Sequence, residues 1–174
     1  MQKKQLGVWG VLGLLTLALV CASGCSSVSI QSNEDPAAVR KVSRLFIFIQ
    51  QGDAKNRALA DYLAADFRNC FSNRPTRFDV VITTPLDLDE RAYDRRMNVF
   101  DADSVLTITM RTASVDLAGG YPTINYDASL FDRVTKQRIW RADIVNSGSP
   151  EVMEQRMQKM ATAIVSQLEH DGFL

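Results

Sequence analysis

Leu106-Thr107-Ile108-Thr109-Met110-Arg111 is the stretch on which the fold turns. Leu106, Ile108 and Met110 alternate with Thr107, Thr109 and Arg111, and a period of two is what a strand with one buried and one wet face requires. The alternation returns in Ile124, Tyr126, Ala128 and Leu130, and again in Trp140, Ala142 and Ile144. Between the first two runs, Asp116-Leu117-Ala118-Gly119-Gly120-Tyr121-Pro122 reads as a flexible hairpin tip. Between the second and third, Asp132 to Gln137 makes a tighter polar turn. Strands joined this closely are antiparallel neighbours, so the three form a meander whose apolar face needs a cover.

The cover comes from either side in sequence. Leu45-Phe46-Ile47-Phe48-Ile49 is apolar on both faces, which suits a central strand buried on both sides. Gly52-Asp53 ends it, Asp53 can cap a helix from about Ala54 to Phe71, and Leu59, Leu63, Phe67, Cys70 and Phe71 share one face of that helix. Phe78 to Thr83 is a further strand, stopped by Pro85. Asp87 to Phe100 reads as a polar helix whose opening acids, Asp87, Asp89 and Glu90, favour the positive helix end. Ser149-Pro150-Glu151 opens the last helix, marked by Met153, Met157, Met160, Ile164 and Leu168. The order β-α-β-α-β-β-β-α predicts an α/β (α+β) fold: a single mixed sheet of about five strands with three helices, in one globular domain over 42–174.

Upstream of that domain, Met1 to Lys4 is basic and Leu6 to Val20 uncharged and apolar, as the first two regions of a secretion signal are. Leu19-Val20-Cys21-Ala22-Ser23-Gly24-Cys25-Ser26-Ser27 then resembles the lipobox of bacterial lipoproteins. Ala22 stands where that family prefers Leu, and Val20 is too bulky beside the cut for Cys21 to serve. The resemblance implies a signal peptide over 1–24, a diacylglyceryl group on the Cys25 sulfur and an acyl chain on its amino group. No other cofactor and no metal are expected. It also implies an outer-membrane location on the periplasmic side, because Ser26, not Asp, follows the cysteine. Two other readings stay open: Ala22-x-Gly24 as an ordinary cleavage site, and Leu6 to Gly24 as an uncleaved anchor near the shortest spanning length. All three place the rest of the chain outside the cytoplasm. Ser26 to about Val39, polar and without periodicity, reads as an extended linker, so 25–41 is expected to be a lipidated N-terminus and flexible tether.

Charge and chemistry exclude several classes. The chain carries 20 basic and 20 acidic side chains, and loss of Lys3 and Lys4 with the signal leaves 18 against 20, which is no nucleic-acid footprint. With Cys25 acylated only Cys70 remains, and its place on an apolar helical face reads as an inert core thiol. His170 is the one histidine, at a helix end beside Asp171 and Gly172. No phosphate-binding glycine loop, metal-ligand spacing or nucleophile elbow is present. Acids such as Asp87, Asp89, Asp116 and Asp127 leave a carboxylate-based hydrolase or ligand carrier as the alternative. Trp140 shares the face of Ala142 and Ile144 and reads first as a core residue, with an interface anchor flanked by Arg138 and Arg141 as the rival reading. Tyr121 at the hairpin tip is the other candidate anchor.

Leu130, Phe131, Asp132, Thr135, Ile139, Trp140, Arg141 and Ala142, together with the element order, resemble small periplasmic lipoproteins. That class includes the curli-secretion lipoprotein, the lipoprotein activators of penicillin-binding proteins, the exopolysaccharide-export lipoprotein PelC and the N-terminal domain of TolB. The resemblance spans roughly residues 42 to 170 and implies a non-catalytic assembly or accessory role in the cell envelope. The implied partners are the membrane, through the lipid, and an envelope protein or further copies of the chain.

Overall fold

The structure is a computed structural model and describes residues 26–50, 57–84, 87, 89–114 and 122–174. Its strands are β1 (Ser27–Glu34), β2 (Arg44–Gln50), β3 (Arg77–Thr83), β4 (Ser104–Ser114), β5 (Thr123–Asp132) and β6 (Arg138–Ser147). Its helices are α1 (Arg57–Phe71), α2 (Glu90–Phe100) and α3 (Met153–His170), the last entered through a 3-10 turn, Pro150–Val152. The strands form one mixed sheet in the order β1-β6-β5-β4-β2-β3, with β2 parallel to both β3 and β4 and the other pairs antiparallel. This is the expected α+β architecture with a sixth strand added.

That strand is a correction. Ser27–Glu34 lies in the stretch read as a tether, but it pairs in register with β6 from Ser27 opposite Ser147 to Glu34 opposite Trp140. Only Val28 and Ile30 of β1 pack onto the core. Two apolar residues among Ser, Gln and Asn are too few to register as alternation, and the pairing is supplied by a partner more than 100 residues away.

Handedness places the helices. The step from β2 through α1 to β3 and the step from β3 through α2 to β4 run in opposite directions across the sheet. Right-handed crossovers therefore put α1 and α2 on opposite faces. α3 joins α1, and between these two helices and the sheet lies the main core, including Leu45, Ile47, Leu63, Phe67, Leu106, Leu130, Trp140, Met157, Met160 and Ile164. On the other face Phe46, Val81 and Ala102 are buried, with Phe48, Tyr93, Met97 and Phe100 packed around them. β2 is thus covered on both sides, as its unbroken apolar run requires. α2 is short, and among the described residues no helix covers β4, β5, β6 and β1 on that face.

Local chemistry fixes the ends. Asp89 caps α2 by accepting from the Ala92 N–H at 3.2 Å, and Asp101 stops it in the left-handed region at φ 56°. Ser149 Oγ accepts from the Glu151 N–H at 3.3 Å ahead of Pro150, as the Ser-Pro-Glu signal predicts. Among the described residues no helix is long and apolar enough to cross a membrane.

Candidate functional site

Because α2 stops short of β4 and β5, a groove of about 950 Å³ runs beside it. Phe48, Val105 and Phe131 form its sheet wall, Tyr93 and Met97 its helix wall, and Val134 in the β5–β6 turn its rim. Polar groups sit between these: Gln50, Thr83 and Asp87 at one end, Arg133 and Lys136 at the other. Two apolar side chains at this side of the molecule are almost wholly exposed, Val99 at 88% and Val134 at 87%. They lie on elements that Arg133 ties together, donating to Asn98 Oδ1 on α2 and to the Ala102 carbonyl at 3.2 Å.

The end at Asp87 is rigidly built. Its carboxylate accepts from Tyr93 Oη at 2.5 Å, from the Thr84 N–H at 2.7 Å and from Thr84 Oγ1 at 3.1 Å. The Tyr93 bond, then the Thr84 N–H, holds Asp87 below its ordinary pKa and pushes the Tyr93 phenol above its own. At the other end Asp132 accepts from the Thr135 N–H at 2.7 Å and from Arg40 at 2.7 Å, which lowers its pKa to about 2, the Thr135 bond being the larger cause. Asp132 and Thr135 of the family-like hairpin motif therefore make the turn that carries Val134.

Of the acids proposed for catalysis, those among the described residues are otherwise engaged. Asp89 is the α2 cap, and Asp127 lies on the open sheet face held by Arg111 at 2.5 Å and by Arg141 at 3.3 Å. Asp143, opposite Asp127 across the β5–β6 ladder, shares the same two arginines at 3.5 and 3.4 Å. Asp116 lies outside the described residues. Among those described, no three of His, Cys, Asp and Glu converge as a metal site would need. His170 is exposed at the last turn of α3, and Cys70 is half-buried in the α1–α3 seam, 4.0 Å from Thr162 Oγ1, where a fully buried thiol was expected.

The candidate anchors separate. Trp140 is 1% exposed, and its indole N–H donates to Asp171 Oδ2 at 2.7 Å. Of its two readings the core one holds and the interface anchor does not: the inward phase of β6 turns it beneath α3. Arg138 is exposed, while Arg141 is half-buried and occupied by Asp127 and Asp143. Both line a shallow hollow of about 530 Å³ along β1 and β6. Tyr121 and Cys25 lie outside the described residues. The groove beside α2 escaped sequence reading because its walls come from four separate elements; the only signal was the pair Phe46 and Phe48 on one face of β2.

The sequence matches no family model and no curated protein. Among solved structures the chain is similar to the PelC dodecamer from Paraburkholderia phytofirmans, at 14% identity and a TM-score of 0.50, over 85% of this chain and 99% of that one. A lipoprotein from Neisseria meningitidis is similar at 16% identity and a TM-score of 0.47, over 74% of this chain and 99% of that one. At 14% identity the likeness to PelC is one of fold.

Proposed function

We propose that the chain is a bacterial envelope lipoprotein, anchored in the outer membrane by lipid on Cys25, that acts as a non-catalytic interaction or assembly module. The observation that carries this reading is the groove beside α2. Its walls are apolar, its rim exposes Val134, and two of its lining acids, Asp87 and Asp132, are tied into turns. An apolar channel with polar ends suits an extended segment of a protein partner, since apolar contact supplies affinity and the end groups fix direction. The fold shared with PelC and the lipobox-like sequence around Cys25 support the envelope setting. Asp87, Asp89 and Asp127 each serve a cap, a turn or an ion pair, which favours this reading over a carboxylate-based hydrolase or carrier.

The test uses the full chain in its own cell envelope with a photo-cross-linking side chain at Met97, and again at Thr162 on the far side of the molecule. The Met97 probe should give a discrete adduct with one envelope protein, and Val134→Asp should abolish it without lowering the melting temperature. Adducts of equal yield at both positions, or an adduct indifferent to Val134→Asp, would remove the groove from the proposal.

A further inference from the structure

The sheet ends in two edge strands, β3 and β1. An edge presents unpaired backbone groups to any strand that can reach it, and proteins that must stay single guard such borders. β3 is guarded. Asp79 turns Oδ1 onto the N–H of its neighbour Val80 at 2.9 Å, and its two oxygens hold Arg96 of α2 at 2.7 and 2.6 Å, so an ion pair occupies that border. β1 has no such device among the described residues. It is eight residues long, contains neither proline nor lysine, and is paired with β6 on one side.

The phase of its backbone is fixed by one hydrogen bond. The Asp35 N–H donates to the Ile139 carbonyl at 3.0 Å, in the same register as the β1–β6 ladder. In an antiparallel ladder successive residues alternate direction, so 27, 29, 31 and 33 bond toward β6, while Val28, Ile30, Ser32 and Glu34 turn their N–H and C=O groups outward.

We infer that this edge pairs with β1 of a second copy of the chain, antiparallel about a two-fold axis at Gln31, joining two sheets into one. In that register Val28 meets the second copy's Glu34 and Ile30 its Ser32, so all four outward residues find partners. A slip of two residues in either direction leaves one of them without a partner. On the open face Ser29 meets Asn33 and Gln31 meets its own equivalent, all groups able to hydrogen-bond across the strands. Charge agrees with the register. Lys159 of α3 is held at the start of β1 by Ser26, through Oγ at 2.6 Å and the carbonyl at 3.1 Å. That is the end at which the second copy's Glu34 and Asp35 arrive, and no like charges meet directly. Such a contact is self-complementary and closes at two copies. It uses a surface apart from the groove beside α2, so it stands or falls separately from the proposed partner.

Cysteine placement reads the register directly, in the full chain extracted from membranes in detergent. Residue 31 faces itself across the axis in a non-hydrogen-bonded pair, where Cα atoms lie about 4.5 Å apart, within disulfide reach. On mild oxidation Gln31→Cys should convert most of the chain to a disulfide dimer. Ser29→Cys alone, which faces Asn33, should stay at the background that Cys70 sets in the unaltered chain, and adding Asn33→Cys to it should restore the dimer. Gln31→Lys opposes two ammonium groups and should lower the mass found by light scattering from two chains to one, with a melting temperature within about a degree of the unaltered chain. Equal cross-linking of the Gln31→Cys and Ser29→Cys chains, or a two-chain mass kept by Gln31→Lys, would overturn the inference.

Discussion

Trp140 shows how much one side chain contributes to this molecule. It is the largest of the fully buried side chains among the described residues, and Asp171 accepts both its indole N–H and the Ser32 hydroxyl, at 2.7 and 2.8 Å. Trp140→Ala should cost about 3 to 5 kcal/mol through lost transfer energy and a cavity, which is a large share of the roughly 5 to 15 kcal/mol that stabilises a domain. Trp140→Phe should cost much less, because Ser32 still bonds Asp171; thermal unfolding of both variants checks this, and an alanine variant melting like the original would refute the packing role. Two carboxylates give opposite pH responses. Asp66 is buried with Oδ2 unpartnered, and burial first, then the charge of Glu154, raises its pKa. The native state then holds the Asp66 proton more tightly than the unfolded chain, so this contribution to stability is full below the ordinary 3.8 and is lost as pH rises through the raised value. Asp66→Asn should therefore stabilise the protein at pH 7 and change little at pH 3, measured by denaturant unfolding at both. Asp132 runs the other way: its contribution is present above 3.8 and lost as pH falls toward about 2.

At the scale of elements, the junction of β6 with α3 rests on a buried cation. Arg156 is wholly buried, and its guanidinium donates to Asn146 Oδ1 at 3.0 Å, to the Gly148 carbonyl at 2.8 Å, and to the Asn146 and Pro122 carbonyls at 2.7 and 3.0 Å. Desolvation lowers its pKa, and the ring of carbonyl oxygens, with no carboxylate paired to it among the described residues, stabilises the charge. One side chain thus ties the helix to the ends of β5 and β6. Gly148 fits the same corner, since its φ of +152° is rarely adopted by other residues and a Cβ there would lie 2.9 Å from the Ser26 backbone. Arg156→Met fills the volume but strands several acceptors, each costing about 1 to 3 kcal/mol, so a total of about 3 kcal/mol or more is expected. Arg156→Lys should recover only part of it, because an ammonium cannot span acceptors set in a fork. Hydrogen exchange of amides near Asn146 would locate the loss.

For the whole molecule, the proposed lipid anchor at Cys25 stands next to the sheet in sequence, since β1 starts two residues after it. Cys25→Ala should block lipid attachment and cleavage and leave a larger precursor at the inner membrane; radiolabelled palmitate incorporated at the original level would refute the assignment. Much of the fold was legible in the sequence because period-two runs at Leu106, Ile124 and Trp140, the double-faced run Leu45 to Ile49, and the Ser149-Pro150 cap each express a local or one-face requirement that needs no knowledge of a partner. Those signals determined the element order from β2 onward, the antiparallel meander, the inward phase of Trp140 and the covered state of β2. They did not determine the partners. β1 became a strand only because β6 offered it a ladder, and α2 fell on the open face only because the crossovers reverse direction about β2. Asp87, Asp127 and Asp132 met Tyr93, Arg111 and Arg40 at separations from 6 to 92 residues. Local patterns arise from burial along one element, whereas grooves, ion pairs and sheet edges arise where distant elements meet, and that geometry exists only in the folded chain.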